Sequence, residues 1–131
     1  MKKILVIEDE AQTRDIFLEC LEAEGFDTIG AENGRVGLQR VQEQLPDLVI
    51  CDIMMPEIDG YGVLTMLRQD PVTAMIPFIF LTARAAEAER RYGMELGADE
   101  YITKPCTAED LLRAIAKVCE LNTAVKSPFS N

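Results

Sequence analysis

Residues 48–52 read Leu-Val-Ile-Cys-Asp, and this stretch decides the fold. Four apolar residues follow one another without a polar break and stop at a carboxylate. Alternation would mark a strand with one wet face, whereas a continuous run marks a strand covered on both faces, as in a parallel sheet between helices. The same pattern recurs on either side. Ile4-Leu5-Val6-Ile7 ends at Glu8-Asp9-Glu10, and Phe78-Ile79-Phe80-Leu81 ends at Thr82. Two shorter, more polar runs, Asp27 to Ala31 and Glu100 to Thr103, fit strands nearer the sheet edges.

Helical periodicity fills the gaps. Ile16, Phe17, Cys20 and Leu21 share a face; so do Leu38, Val41 and Leu45, then Val63, Leu64 and Leu67, then Leu111, Leu112, Ile115, Val118 and Cys119. Gly25 closes the first helix, Asp59 caps the third, and Thr107 with Asp110 has capping-box spacing, an Asp replacing the usual Glu. Glu10 falls at the start of the first helix, where the dipole favours an acid. The stretch from Ala86 to Leu96 is the poorest helix, with charges on most faces and Gly93 inside it, and is expected to be the least rigid. Five strands alternating with five helices predict an α/β domain: a doubly wound parallel sheet with right-handed crossovers and helices on both faces. The periodicity stops after Leu121, so residues 1–121 are expected to form the domain and 122–131 a polar tail or the start of a linker.

Composition narrows the function. The chain has 131 residues, enough for one domain that buries roughly two-thirds of its unfolded surface without disulfides or a structural metal. Acids outnumber bases 23 to 13, for a formal charge of −10, which disfavours direct binding to nucleic acid or an anionic membrane. With no histidine, the chain supplies no histidine base, ligand or phosphocarrier. Cys20, Cys51, Cys106 and Cys119 contain no C-x-x-C pair, so zinc spacing is missing and reduced thiols are the simpler reading. Neither a signal peptide nor a membrane-length apolar run is visible, and a cytoplasmic location is expected.

In an open parallel sheet, ligands gather at the carboxyl ends of the strands. Glu8, Asp9, Asp52, Thr82 and Lys104 all fall at such ends. One acid there is commonly a turn residue or cap. Five converging residues form a constellation. Neighbouring carboxylates repel unless a cation offsets them, and oxygen ligands without His or Cys select Mg²⁺, or Mn²⁺ as a substitute. An ammonium and a hydroxyl beside them suit phosphoryl oxygens.

The sequence resembles the response-regulator receiver domains, the CheY-like family of two-component signalling. The resemblance rests on KILVIEDE, PDLVICDIMMPEIDGYGVL, PFIFLTA and GADEYITKP, between Lys2 and about Leu121. It implies a flavodoxin-like strand order, 2-1-3-4-5. It further implies that Asp52 accepts a phosphoryl group from a phosphohistidine on a sensor histidine kinase or a phosphotransfer protein. By the same resemblance Asp9 binds Mg²⁺ directly, Glu8 through water and Met54 by its backbone carbonyl. Thr82 and Lys104 contact the phosphoryl oxygens, and Pro105 matches a proline often preceded by a cis bond. Tyr101 is the switch aromatic that moves inward as Thr82 is drawn to the phosphate. Met54 and Arg84 flank the site where family members tune dephosphorylation.

Cys106 departs from the aromatic that many receivers carry there, and reads as a small apolar residue rather than a redox group. A homodimer through residues 86–121 is one expected assembly, with Arg90, Arg91, Asp99, Glu100, Asp110 and Arg113 as charges for it. The output is either a downstream protein target or a C-terminal domain. Three rival readings compete: a nucleotide- or flavin-binding fold, which would need a Gly-rich loop where Glu8-Asp9-Glu10 stands, a receiver-like module that binds protein without phosphorylation, and a metal phosphatase using an Asp nucleophile. The phosphatase would need a second acid where Met54 stands. The receiver reading makes the chain a switch with slow single-site chemistry rather than a turnover enzyme.

Overall fold

The computed structural model describes residues 2–83 and 86–126. Its elements run β1 (Lys3–Ile7), α1 (Ala11–Ala23), β2 (Asp27–Ala31), α2 (Gly34–Gln44), β3 (Leu48–Asp52), α3 (Gly60–Gln69), β4 (Phe78–Thr82), α4 (Glu87–Glu95), β5 (Glu100–Thr103) and α5 (Ala108–Lys126). All strand pairs are parallel, in the order β2-β1-β3-β4-β5. β3 and β4 are buried along their whole length. The two polar runs are the edges, as their mixed burial requires.

Strand parity sorts the core into two layers. Leu5, Ile7, Val49, Cys51, Phe78, Phe80 and Tyr101 point to the side covered by α2, α3 and α4. Ile4, Val6, Leu48, Ile50, Ile79 and Leu81 point to the side covered by α1 and α5. Arg68 ties α3 to the floor of the sheet, donating from Nη1 to the Ile76 carbonyl at 2.8 Å and from Nη2 to the Gly97 carbonyl at 2.8 Å.

The expected caps form. Asp59 Oδ1 accepts from the Gly62 N–H at 2.9 Å. Thr107 and Asp110 bond reciprocally: the Asp110 N–H donates to Thr107 Oγ1 at 3.0 Å and the Thr107 N–H to Asp110 Oδ2 at 3.2 Å. α4 is the thinnest attachment. Its one buried residue is Gly93, where an added β-carbon would stand 3.0 Å from the Phe80 ring and 3.5 Å from Tyr61. The Tyr61 hydroxyl also donates to the Glu89 carbonyl at 3.3 Å.

Two local expectations need correction, and the expected tail begins as helix. Leu45 does not line the inner face of α2: it is the C-cap, left-handed at φ 44°, and exposed. Pro46 explains this, because the residue before a proline is disfavoured in the helical region and the helix must end there. Ile16 is 59% exposed, since Phe17 and Leu21 already fill the inner line of α1. α5 continues past Leu121 to Lys126. No glycine or proline interrupts that stretch before Pro128, and helical bonds propagate without an apolar stripe.

Candidate functional site

The parity that builds the core also builds the site. Glu8, Asp52 and Lys104 continue the alternation of Val6, Ile50 and Ile102, so they emerge on the α1/α5 side of the sheet end. Lys104 Nζ lies 2.9 Å from Glu8 Oε1 and 3.4 Å from Asp52 Oδ2. Asp9 completes the group: Glu8, Asp9 and Asp52 each offer a carboxylate oxygen, all within 4.8 Å of one another. Glu8 is 1% exposed and Asp52 5%, while Asp9 faces solvent. One ammonium among three acids leaves negative charge uncompensated, and this all-oxygen donor set fits a hard divalent cation.

The electrostatics follow. Partial burial and the neighbouring Glu8 carboxylate push the Asp9 carboxyl above its ordinary value. Burial pulls the Lys104 ammonium down, but its bonds to Glu8 and its attraction to Asp52 outweigh this and hold it above the ordinary lysine value. Lys104 is therefore a fixed cation at neutral pH.

For Asp9 the folded state binds the proton more tightly than the unfolded chain. The ionised carboxylate therefore costs stability, a cost that appears as pH rises through the range just above 3.8. Asp9→Asn is expected to stabilise the metal-free fold at pH 7 by at most about 1 kcal/mol, because solvent screens this exposed group. The same variant should lose the rise in melting temperature expected of the wild type on adding Mg²⁺. Thermal melts with and without Mg²⁺ check both.

Thr82 follows the β3–β4 register, in which Asp52 pairs Leu81, and its carbonyl accepts from the Lys104 N–H at 2.6 Å. Thr82 is fully buried and shares the parity of Phe80 and Tyr101, on the α4 side of the sheet. Tyr101 pairs Phe80 in register, is 6% exposed, and meets the Phe80 ring edge-on with centroids 6.3 Å apart. The aromatic is thus inward in this structure. The Lys104–Pro105 bond is cis. The Met54 N–H points back to Asp52 Oδ1 at 3.4 Å, and its side chain is exposed. Arg84 lies outside the described residues.

Two positions near the site escaped the sequence reading. The first residue of α3, Gly60, touches β3 backbone to backbone: an added β-carbon would stand 2.5 Å from the Asp52 carbonyl oxygen and 2.8 Å from Ile53 Cα. Glycine directly after the N-cap Asp59 was the available signal. Arg14 Nη1 donates to the Glu8 carbonyl at 2.8 Å. A half-buried helical arginine gives no sign in sequence that its partner is a main-chain oxygen.

Other expected groups are used internally. Asp99 accepts from the Phe78 N–H at 2.8 Å and faces Arg68 at 3.5 Å. Glu100 sits between Lys117 at 3.1 Å and Arg90 at 3.8 Å. Burial and Asp110 push the Cys106 thiol up, so it stays protonated. Among the described residues no helix is long and apolar enough to cross a membrane.

Strand order, helix placement and an acidic strand end together define a CheY-like α/β fold. The chain belongs to the response regulator receiver domain family, which it matches over residues 4–116. A Picosynechococcus protein named a probable transcriptional regulatory protein is 44% identical over 136 residues, covering 98% of this chain and 53% of that one. The phosphate regulon transcriptional regulatory protein PhoB of Klebsiella pneumoniae is 38% identical, covering 89% and 51%. A solved receiver domain protein from Clostridium thermocellum gives a TM-score of 0.87 at 31% identity, covering 95% and 99%. The chain spans about half the length of these curated relatives.

Proposed function

We propose that this receiver domain takes a phosphoryl group on Asp52 from a phosphohistidine donor and passes the change to a protein target or an output domain. The observation that carries the reading is Lys104 Nζ standing between Glu8 and Asp52, at 2.9 and 3.4 Å, beside a third carboxylate within 4.8 Å. An Asp52 oxygen attacks phosphorus, the P–N bond breaks, and the donor imidazole leaves with the bonding pair. Such a transfer is loose, so positioning and charge neutralisation supply most of the catalysis. Asp9, Asp52 and the Met54 carbonyl would hold Mg²⁺, with Glu8 acting through water. When bound, the ion would neutralise charge on the phosphoryl oxygens. Lys104 and the Thr82 hydroxyl take the remaining oxygens. The donor seats in the apolar groove of Thr13, Ile16, Phe17, Pro105 and Cys106, which opens beside Lys104.

The switch runs from Thr82 through Phe80 and Tyr101 to α4. Phosphorylation adds close to two negative charges, enough to bias a weakly attached helix. The chain acts as a switch with single-site chemistry rather than a turnover enzyme.

Intact mass after incubation with acetyl phosphate tests the reading. A gain of one phosphoryl mass that requires Mg²⁺ is expected. Where the adduct is too short-lived to weigh, a stable beryllofluoride complex is expected instead. Absence of both would leave a module that binds protein without phosphorylation and would overturn the assignment of Asp52.

A further inference from the structure

We propose that Arg14 is a positioning residue for the acidic pair, holding the Glu8–Asp9 peptide in the orientation that brings its carboxylates together with Asp52. The inference rests on the metal-assisted reading of that cluster.

The β1 ladder ends at Ile7, so Glu8 lies past the last regular strand residue. Its groups are pinned one by one. The N–H donates to the Ala31 carbonyl at 3.0 Å. The carboxylate takes the Lys104 ammonium at 2.9 Å and the Glu10 N–H at 3.1 Å. The carbonyl, which belongs to the peptide leading into Asp9, accepts from Arg14 Nη1 at 2.8 Å. Three carboxylates with oxygens within 4.8 Å repel one another, and a turn of this peptide would carry the Asp9 backbone, and its carboxylate with it, away from the other two. Arginine suits the role because its planar guanidinium keeps its charge and direction.

The path of the side chain is also built. Arg14 crosses the edge strand at Gly30, where an added β-carbon would stand 3.0 Å from Leu18 Cδ1, 3.5 Å from Arg14 Cδ and 3.7 Å from Nε. The β-carbon alone crowds Leu18 and only touches the arginine stem, so the γ-methyls of a valine are what would reach the stem. Gly30→Val therefore disturbs the contact together with the packing of Leu18, without removing the charge.

The sign of one measurement separates positioning from simple charge balance. If Arg14 acted only as a nearby positive charge, removing it would tighten cation binding. If it holds the peptide, removing it weakens binding. Mn²⁺ titration of the full chain, followed by loss of the free-ion paramagnetic resonance signal, gives the affinity directly. Arg14→Met is expected to weaken Mn²⁺ binding about tenfold, the scale for groups that orient metal ligands, and Gly30→Val to weaken it in the same direction. Arg14→Lys, which keeps a charged donor, should recover most of the loss. With acetyl phosphate, the Mg²⁺ concentration for half-maximal phosphorylation should rise by the same factor while the rate at saturating Mg²⁺ stays at the wild-type value. Arg14→Met binding as tightly as wild type, or more tightly, overturns the proposal. A wild type that takes no Mn²⁺ overturns the metal-assisted reading and this inference with it. If Gly30→Val fails to fold, the Met and Lys variants decide alone.

Discussion

Asp52→Asn is expected to abolish the Mg²⁺-dependent phosphoryl adduct, lowering its rate of formation by at least about a thousandfold, as loss of a nucleophile does. The substitution keeps the shape of the side chain, and the Met54 N–H retains an oxygen acceptor. It removes the carboxylate that attacks and one of the three that would hold the cation. The fold should survive, because Lys104 keeps its shorter contact to Glu8 and the cluster loses a repelling charge. The melting temperature without Mg²⁺ should therefore match or exceed that of the wild type, while the rise on adding Mg²⁺ shrinks. Intact mass and thermal melts on the same preparation give both readouts. An adduct of undiminished yield in the variant would place the chemistry on another residue.

Gly60→Ala should be the most damaging single-methyl change near the site. The added carbon would meet the Asp52 carbonyl oxygen at 2.5 Å and Ile53 Cα at 2.8 Å, backbone atoms of the last residue of a fully buried strand and of the buried residue after it. No rotamer relieves such a clash, so α3 must retreat from the end of β3. That retreat strains the Gly60 N–H bond to the Ile53 carbonyl, now 2.9 Å. Overpacking of this kind costs about 3 kcal/mol, which lowers the melting temperature by about 10 °C in a domain of this size. The phosphorylation rate should fall as well, because the displaced backbone is that of Asp52. A variant melting with the wild type would show that α3 yields at no cost.

What the sequence disclosed depended on the kind of signal each feature leaves. The three central strands were legible because burial on both faces demands continuous apolar runs, and Leu48–Cys51 and Phe78–Leu81 are too short and too rich in β-branched and aromatic residues for buried helices. The convergence of Glu8, Asp52 and Lys104 was legible because parallel topology sends every strand end to one edge. The mutual pairing was less so: Lys104 stands closer to Glu8 than to Asp52, a matter of a fraction of an ångström in side-chain placement. Ile16 and Leu45 were misassigned because a helical stripe marks a face without marking its limits. Pro46 did carry the information needed for Leu45. Gly60 and Arg14 left little trace, since contacts with backbone atoms impose no complementary residue elsewhere in the chain.

The attachment of α4 through Gly93 has an evolutionary consequence. A helix that docks by side chains ties its outer residues to the core, because they share the same few turns and drift under joint constraint. Here the fully buried part of the docking surface is one missing side chain against two rings, flanked by half-buried Met94 and the edge-on contact of Tyr92 with Tyr61. The outward residues, among them Glu87, Ala88 and Arg91, can be exchanged without repacking the sheet. Duplicated copies of such a gene would keep the same internal relay while acquiring different addresses, so that parallel signalling lines in one cell are insulated from crosstalk by substitutions confined to a single exposed surface.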